Sequence, residues 1–382
     1  MAQPFEILHV FATFATGGPQ VRAAAILNRF GNRWRHRIVA MDGNYACRER
    51  LDPSLAVEYP QLDLRKGDTR HNLALIRQYC RTAPPDALVT NNWGSIEWAM
   101  ANLLPPRLRH VHMEDGFGPD EAQGQRPRRI WTRRLVLRRS EIVLPSQVLF
   151  GHARDLWKLP AQRLHYVPNG LDLGRFRPDG PRADLPVPGA GPLIGTVAAL
   201  RREKNIGRLL QAMAQLKQQG IAARLAVIGD GGERPALEAE AASLDLTDRV
   251  RFLGHVPDPA AAYRAMDLFA LSSDTEQMPF SVMEAMASGL PIAATAVGDV
   301  PLMLAEANRP LAVAQDEKAL AGALTTLLGD AGLRARLGAA NRAKAEHDYD
   351  QEVMFATYAA LFEGRAVAAG GRAAITRRNR AS

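Results

Sequence analysis

The stretch EQMPFSVMEAMASG, Glu276 to Gly289, carries two acids eight positions apart, Glu276 and Glu284, across a proline and the start of a helical pattern. A carboxylate accepts hydrogen bonds at both oxygens, and the vicinal hydroxyls of a sugar or ribose present two donors at a matching separation. A helix N-terminus beside them exposes unpaired N–H groups and a positive dipole end, which collect phosphate. One acid for a sugar, one for a ribose and backbone amides between them would make a nucleotide-sugar cradle. The plainer alternative leaves Glu276 a solvated loop acid and Glu284 a first-turn partner of the helix dipole.

Other residues could complete such chemistry. LRREKN supplies Arg201 and Lys204, with Arg202 beside them. A departing diphosphate builds negative charge that a cation stabilises, although Arg201 and Arg202 could equally be plain surface charges. ATGGPQV places Gly17 and Gly18 where backbone can approach a ligand, with Pro19 near the first helical position. GDGGERP, from Gly229, repeats that logic later in the chain. Neither glycine stretch is a GxGxxG or Walker A sequence, so dinucleotide and P-loop readings fail. The triplet Asp348-Tyr349-Asp350 precedes a terminal helical stretch, far from any expected strand end, and reads as a helix cap. No metal requirement is expected.

QRPRRIWTRRLVLRRS holds seven arginines between Arg126 and Arg139 and no acid. On a helical wheel they form no single face, and Ile130, Trp131 and Leu135 are spread too. One reading is a sheet-covering helix with a basic exposed side. The other, favoured by the basic tail, is a patch of Arg126, Arg128, Arg129, Arg133 and Arg134 for anionic lipid head groups or a lipid-linked acceptor.

The elements needed to position these residues are legible. Short apolar runs such as FEILHVFA, HRIVAMD, ALVTNN and EIVLPS alternate with longer helical patterns, which argues for α/β layers with parallel sheets. DGPRADLPVPGAGP, rich in Pro and Gly, is the best linker, and a second alternation follows it from LIGTVAAL to PIAATAVG. The expected organisation is therefore a Rossmann-like domain over 1–178, a linker over 179–191 and a second Rossmann-like domain over 192–349. A terminal helix over 350–364 and a disordered basic tail over 365–382 would complete it. Two open sheets imply a crevice where strand C-termini and helix N-termini meet a ligand.

Composition sets outer bounds. The 382 residues are 47% hydrophobic, and no apolar run approaches the length of a spanning helix. The first residues, MAQPFEILHVFAT, lack a basic region and read as a strand, not a signal peptide. Cys47 and Cys80 form no framework or metal spacing, which suits a reducing cytosol. Of the net charge of +8, the surplus lies early: 26 Lys/Arg against 17 Asp/Glu over residues 1–180. Nucleic acid, an anionic membrane or a phosphorylated substrate could each explain it. A soluble cytoplasmic protein is expected, peripheral at the inner face of the cell membrane if the arginine segment docks there.

The segment SSDTEQMPFSVMEAMASGLPIAATAVGDVPLML resembles the signature of retaining glycosyltransferases of family 4, whose E-x7-E motif Glu276 and Glu284 match. TGGPQV, PSQ, PNGLD, GTVAALRREKN, VIGDGGERPALE and RVRFLGHV follow in the family's order. The resemblance implies a GT-B fold of two facing Rossmann-like domains with a C-terminal helix after the second. It implies that Glu284 binds donor ribose and Glu276 the transferred sugar, with backbone of Gln277, Met278, Pro279 and Phe280 adding hydrogen bonds. Lys204 matches the family's phosphate-binding lysine; the family's arginine is Ala199 here, which leaves Arg201 as its substitute. In HMEDG, Asp115 takes the place of a histidine near the transferred sugar, with His112 the alternative under a shift of three residues. The plainer alternative for this segment is that its histidines pack under the sheet and Asp115 caps a turn.

The implied activity is retaining transfer of a sugar from a nucleoside-diphosphate sugar to a hydroxyl acceptor, saccharide or lipid-linked, without cofactor or metal. A nucleotide-sugar epimerase or isomerase of the same fold is the first alternative. A basic nucleic-acid-binding protein is a poorer one, since the arginines lack interleaved aromatic platforms, and no nucleic-acid partner is expected.

Overall fold

The computed structural model of the protein describes residues 4–116, 121 and 124–367. It divides into two compact units, one formed by residues up to Asn169 together with those from Glu352, the other by Gly170–Gln351. The basic tail expected over 365–382 lies outside the described residues from 368 onward. Among the described residues no helix is long and apolar enough to cross a membrane.

Seven strands build the first unit: β1 (Glu6–Phe11), β2 (Arg35–Ala40), β3 (Val57–Glu58), β4 (Ala87–Asn91), β5 (Arg109–Met113), β6 (Glu141–Leu144) and β7 (Leu164–Tyr166). They pair in parallel in the order β3-β2-β1-β4-β5-β6-β7. Five helices return between them: α1 (Gly18–Phe30), α2 (Thr69–Thr82), α3 (Ile96–Ala101), α4 (Pro127–Val136) and α5 (Gln147–Gly151). Both faces of a parallel sheet are covered, so its central strands are buried almost throughout.

The second unit repeats the plan. Strands β8 (Leu193–Val197), β9 (Arg224–Ile228), β10 (Val250–Gly254), β11 (Leu268–Leu271), β12 (Ile292–Thr295) and β13 (Ala312–Val313) run in parallel in the order β10-β9-β8-β11-β12-β13. Its helices are α6 (Ile206–Gln218), α7 (Arg234–Ser243), α8 (Ala260–Ala265), α9 (Phe280–Ala287), α10 (Val300–Met303), α11 (Glu317–Gly329) and α12 (Ala331–Asp348). One face packs α6 and α11 through Leu209, Met213, Leu320 and Leu324; the other packs α9 through Val282, Met283 and Met286. In each sheet the strand order reverses beside the first strand, between β1 and β4 and between β8 and β11. That switch point is where an open α/β sheet receives ligand at its strand C-termini.

The division differs from the sequence expectation at both ends. Leu171 and Phe176 join the core of the second unit, so the first sheet's own chain ends at Asn169 and not near 178. The last helix, α13 (Gln351–Glu363), follows the second unit in the chain yet packs on the first sheet. Its Met354, Phe355, Tyr358 and Phe362 are buried against Ile7, Val89, Val111 and Trp34. Each such side chain is worth about 1.5–3 kcal/mol of burial. Arg29 grips Glu352 at 2.7 Å, and the Trp34 indole donates to Glu363 at 2.9 Å, fixing both ends of the helix.

Candidate active site

Two loops leave the second sheet at its switch point. The loop after β8 carries Arg201 and Lys204, the latter in a 3-10 turn, Arg202–Lys204. The loop after β11 carries Glu276, and α9 opens behind it. They are laced together: Ser272 Oγ donates to the Lys204 carbonyl at 3.1 Å, and Asp274 N to the Glu203 carbonyl at 2.8 Å. Arg208 on α6 donates to the Ser272 carbonyl at 2.6 Å and to Asp274 Oδ1 at 2.6 Å. Asn205, in the left-handed region at φ 42°, caps α6 and donates to Asp274 as well.

This lacing brings Lys204 and Glu276 together. Lys204 Nζ donates to Glu276 Oε1 at 2.6 Å, and Ser273 Oγ donates to the same oxygen at 2.8 Å. Glu276 Oε2 has no hydrogen bond among the described residues and is not sealed off from solvent. Glu284, on α9, shows the same arrangement. Its Oε2 accepts from the Tyr263 hydroxyl of α8 at 2.7 Å, while Oε1 is unpaired and not sealed off. Burial pushes the Glu284 carboxyl up, and the Tyr263 hydrogen bond opposes that rise. Each acid is thus held at one oxygen and open at the other.

The turns that set this geometry have little freedom. At Gly298, φ +51°, a Cβ would stand 2.0 Å from the Glu276 carbonyl, so only glycine lets the β12–α10 turn close on the Glu276 loop. Asp299 N then donates to the Gln277 carbonyl at 3.0 Å. Gly229 is equally constrained, with a Cβ 1.8 Å from the Ala198 carbonyl. Its N–H already donates to the Gly254 carbonyl at 2.8 Å, so that one group is taken up within the sheet. Of the expected backbone donors after Glu276, Pro279 has no N–H to give. Met278 and Pro279 turn their side chains inward, Met278 into the core of the unit.

Arg201 is not drawn into the cluster. Its side chain is 65% exposed, and its nearest acid is Glu203 at 3.9 Å. Asp348 is taken up by Lys344 and His347 at the end of α12, and Asp350 pairs through its backbone with Leu171. Asp348 therefore closes one helix where the sequence suggested the cap of the next.

In the first unit, Gly17 and Gly18 open α1 after β1, with Pro19 in the first turn. Gly17 has extended backbone, and a Cβ there would meet the Gln20 side chain at 2.8 Å. Asp115, expected as a catalytic acid or base, stands at the end of β5 with both oxygens engaged. Arg22 holds them at 2.5 and 2.9 Å and reaches Asn169 at 2.8 Å. Asp115 is thus an ion-pair partner of α1 in this structure. His112 is fully buried between Thr90 at 2.7 Å and Glu114 at 3.2 Å.

The arginine segment forms α4 and divides in two. Arg133 is fully buried between the rings of Trp93 and Trp157, 5.0 and 4.9 Å from their centroids, and donates to Glu114 at 3.2 Å. Arg129 pairs with Glu121 at 2.9 Å over the Trp93 ring. Both leave the expected patch, because two acids and two indoles neutralise and cover them. What remains outside is Arg126, Arg128 and Arg134, with Trp131 58% and Leu135 65% exposed. Arg128, Trp131 and Leu135 share one helix face at i, i+3 and i+7, a single face that the expected scatter on the wheel had missed. Tyr263, Ser273, Arg208 and Arg22 were not singled out from sequence either. Their partners lie 21, 3, 66 and 93 residues away, and only the short Ser273 spacing could have been noticed.

Comparison with known proteins bears on this geometry. Residues 16–175 match the description Glycosyltransferase Family 4, and residues 181–344 match Glycosyl transferases group 1. A D-inositol 3-phosphate glycosyltransferase of Segniliparus rotundus is 28% identical over 298 residues, covering 72% of this chain and 66% of that protein. The chain spans about half to two thirds of the length of the curated relatives it matches. Among solved structures, sucrose-phosphate synthase from Thermosynechococcus elongatus superposes with TM-score 0.74 at 20% identity, over 94% of this chain and 98% of the other. Anabaena HepE in complex with UDP and glucose gives 0.73 at 19% identity, over 93% and 98%. These likenesses show the fold, GT-B, built from two parallel-sheet α/β domains.

Proposed function

Because the chain belongs to the family 4-like glycosyltransferases, we propose that it transfers a sugar from a nucleoside-diphosphate sugar to a hydroxyl acceptor with retention at the anomeric carbon. The observation that carries this reading is a pair of half-held carboxylates, Glu276 beside Lys204 after β11 and Glu284 on the helix that follows, at the switch point of the second sheet. The open oxygen of Glu284 accepts from the donor ribose, and that of Glu276 from the transferred sugar. Lys204 lies against Glu276, so the cation that meets the diphosphate stands beside the acid that meets the sugar. The backbone N–H of Phe280 supplies a further donor at the start of α9. UDP, bound by HepE, is the first nucleotide to try.

Chemistry then follows from charge. As the sugar–phosphate bond breaks, negative charge grows on the leaving diphosphate, and a preorganised cation stabilises it more in the transition state than in the ground state. On this reading the leaving phosphate takes the acceptor proton on the same face of the sugar, so retention needs no protein nucleophile. The reaction is proposed to need no divalent metal: turnover unchanged by EDTA supports that, and loss of turnover restored by Mg2+ overturns it.

The acceptor is proposed to be saccharide or lipid-linked, reached at the inner face of the cell membrane. The outward face of α4 supports this, with Trp131 and Leu135 to enter the interface and Arg128 and Arg134 to meet anionic head groups. Co-sedimentation with vesicles containing anionic lipid, lost in Trp131→Glu, is the expected result; equal recovery with and without vesicles removes the membrane claim. The whole reading is tested by incubating the protein with a panel of nucleotide sugars and hydroxyl acceptors. Acceptor-dependent release of nucleoside diphosphate with a product of the donor's anomeric configuration is expected. Conversion of the donor sugar without any acceptor would identify an epimerase or isomerase instead.

A further inference from the structure

Tyr263 is a fully buried residue of α8 whose hydroxyl has a single proton, and it stands 2.7 Å from Glu284 Oε2. The Ser281 carbonyl, at 3.3 Å, is a more distant acceptor for the same proton. The phenol ring has no room to swing: Phe176 packs edge-on at 6.0 Å between centroids and Phe269 at 5.9 Å. We propose that Tyr263 is the positioning residue that selects which oxygen of Glu284 meets the donor, by holding Oε2 and leaving Oε1 open. This rests on the reading that Glu284 grips the donor ribose.

The geometry argues for more than packing. A glutamate on a helix has three rotatable bonds, and one fixed oxygen defines where the other one lies. A pair of ribose hydroxyls needs an acceptor in one place, so a pinned carboxylate meets them at lower entropic cost than a free one. The same hydrogen bond bears on charge. Burial favours the neutral acid, whereas the phenol donor favours the carboxylate. Two other charges face this acid. Arg175 favours its ionised form and Asp258 disfavours it, and these two are themselves paired at 2.9 Å. The phenol is the only direct hydrogen-bond donor to the Glu284 side chain among the described residues. Burial and the Glu284 charge hold the phenol's own proton in place, so it stays a donor across the working range.

The test is titration of UDP into the full chain between pH 5.5 and 8, comparing wild type with Tyr263→Phe, Glu284→Gln and the double variant. Phenylalanine keeps every ring contact and removes only the donor. UDP affinity is expected to fall roughly five- to tenfold in Tyr263→Phe at pH 7.5, the size of one ordinary net hydrogen bond. The pH below which binding fails is expected to move upward, because Glu284 then protonates more readily. In the Glu284→Gln background, Tyr263→Phe is expected to add less than about twofold, since the carboxylate it acts through is gone. Para-aminophenylalanine at 263 returns a donor to the same ring and is expected to restore most of the affinity; this holds as a test even where the phenylalanine protein folds poorly. Wild-type affinity and an unshifted pH profile in Tyr263→Phe, with Glu284→Ala still weakened, would overturn the positioning role alone. Wild-type affinity in Glu284→Ala would overturn the donor reading beneath it.

Discussion

The two units handle buried acids in opposite ways. In the first, Asp115 has both oxygens on Arg22, and Glu114 is enclosed by Arg133 and His112. In the second, Glu276 and Glu284 each keep one oxygen on a protein donor and one open. A buried charge that is fully paired maintains structure, and removing one partner strands the other. A charge left half-paired retains capacity for a ligand. The difference separates acids that hold the first sheet together from acids proposed to hold the donor.

The sharpest way to break that comparison is to exchange stability for function. Arg133→Ala leaves the fully buried Glu114 with His112 as its remaining partner and empties the slot between two indoles. A loss of about 3–5 kcal/mol is expected, read as a lowered denaturant midpoint. UDP affinity of the folded fraction should be unchanged; a midpoint equal to wild type would mean the cluster is not closed. Glu276→Gln should do the reverse. Turnover is expected to fall on the order of 10²–10³-fold, with the unfolding temperature moved by no more than about 2 °C. Undiminished turnover would remove Glu276 from the site.

A third test uses pH. His9, His36 and His110 are buried in the first unit and held neutral: His36 is pushed down to about 4 and His110 to about 3 by burial, and His9 well below its ordinary value. The unfolded chain protonates these rings near pH 6.5, while the fold resists until much lower pH. Stability should therefore hold above pH 6.5 and fall as pH drops toward 4, by up to about 1.4 kcal/mol per group per unit. The histidines of the second unit, His255 and His347, are exposed. Acid unfolding that began in the second unit, followed by hydrogen exchange, would contradict the contrast. The smallest effect is expected from Arg201→Ala. A cation 65% exposed with a partner 3.9 Å away should cost less than about threefold in turnover, checked by steady-state kinetics.

What could be read from sequence follows the range over which each interaction acts. Strands, switch points and the two acids were legible because apolar runs, glycine turns and the spacing of Glu276 and Glu284 are local patterns. Lys204 was legible as a cation at a strand end. Arg22 and Asp115 were not seen as a pair, since their contact spans 93 residues and depends on β1 and β5 joining one sheet with β4 between them. The arginines of α4 looked alike in sequence, yet Trp93, Trp157, Glu114 and Glu121 bury two and leave the rest outside. The return of α13 to the first sheet was hidden for a similar reason, because its apolar face says that it packs but not on what.

The account stands or falls on whether the open oxygen of Glu284 meets the nucleotide. Calorimetric titration of UDP into wild type and Glu284→Ala, at a temperature where both are fully folded, measures that contact without any acceptor. A loss of tenfold or more in affinity is predicted, as expected for a hydrogen-bonded carboxylate with two ribose donors. Equal affinity in the two proteins would contradict it.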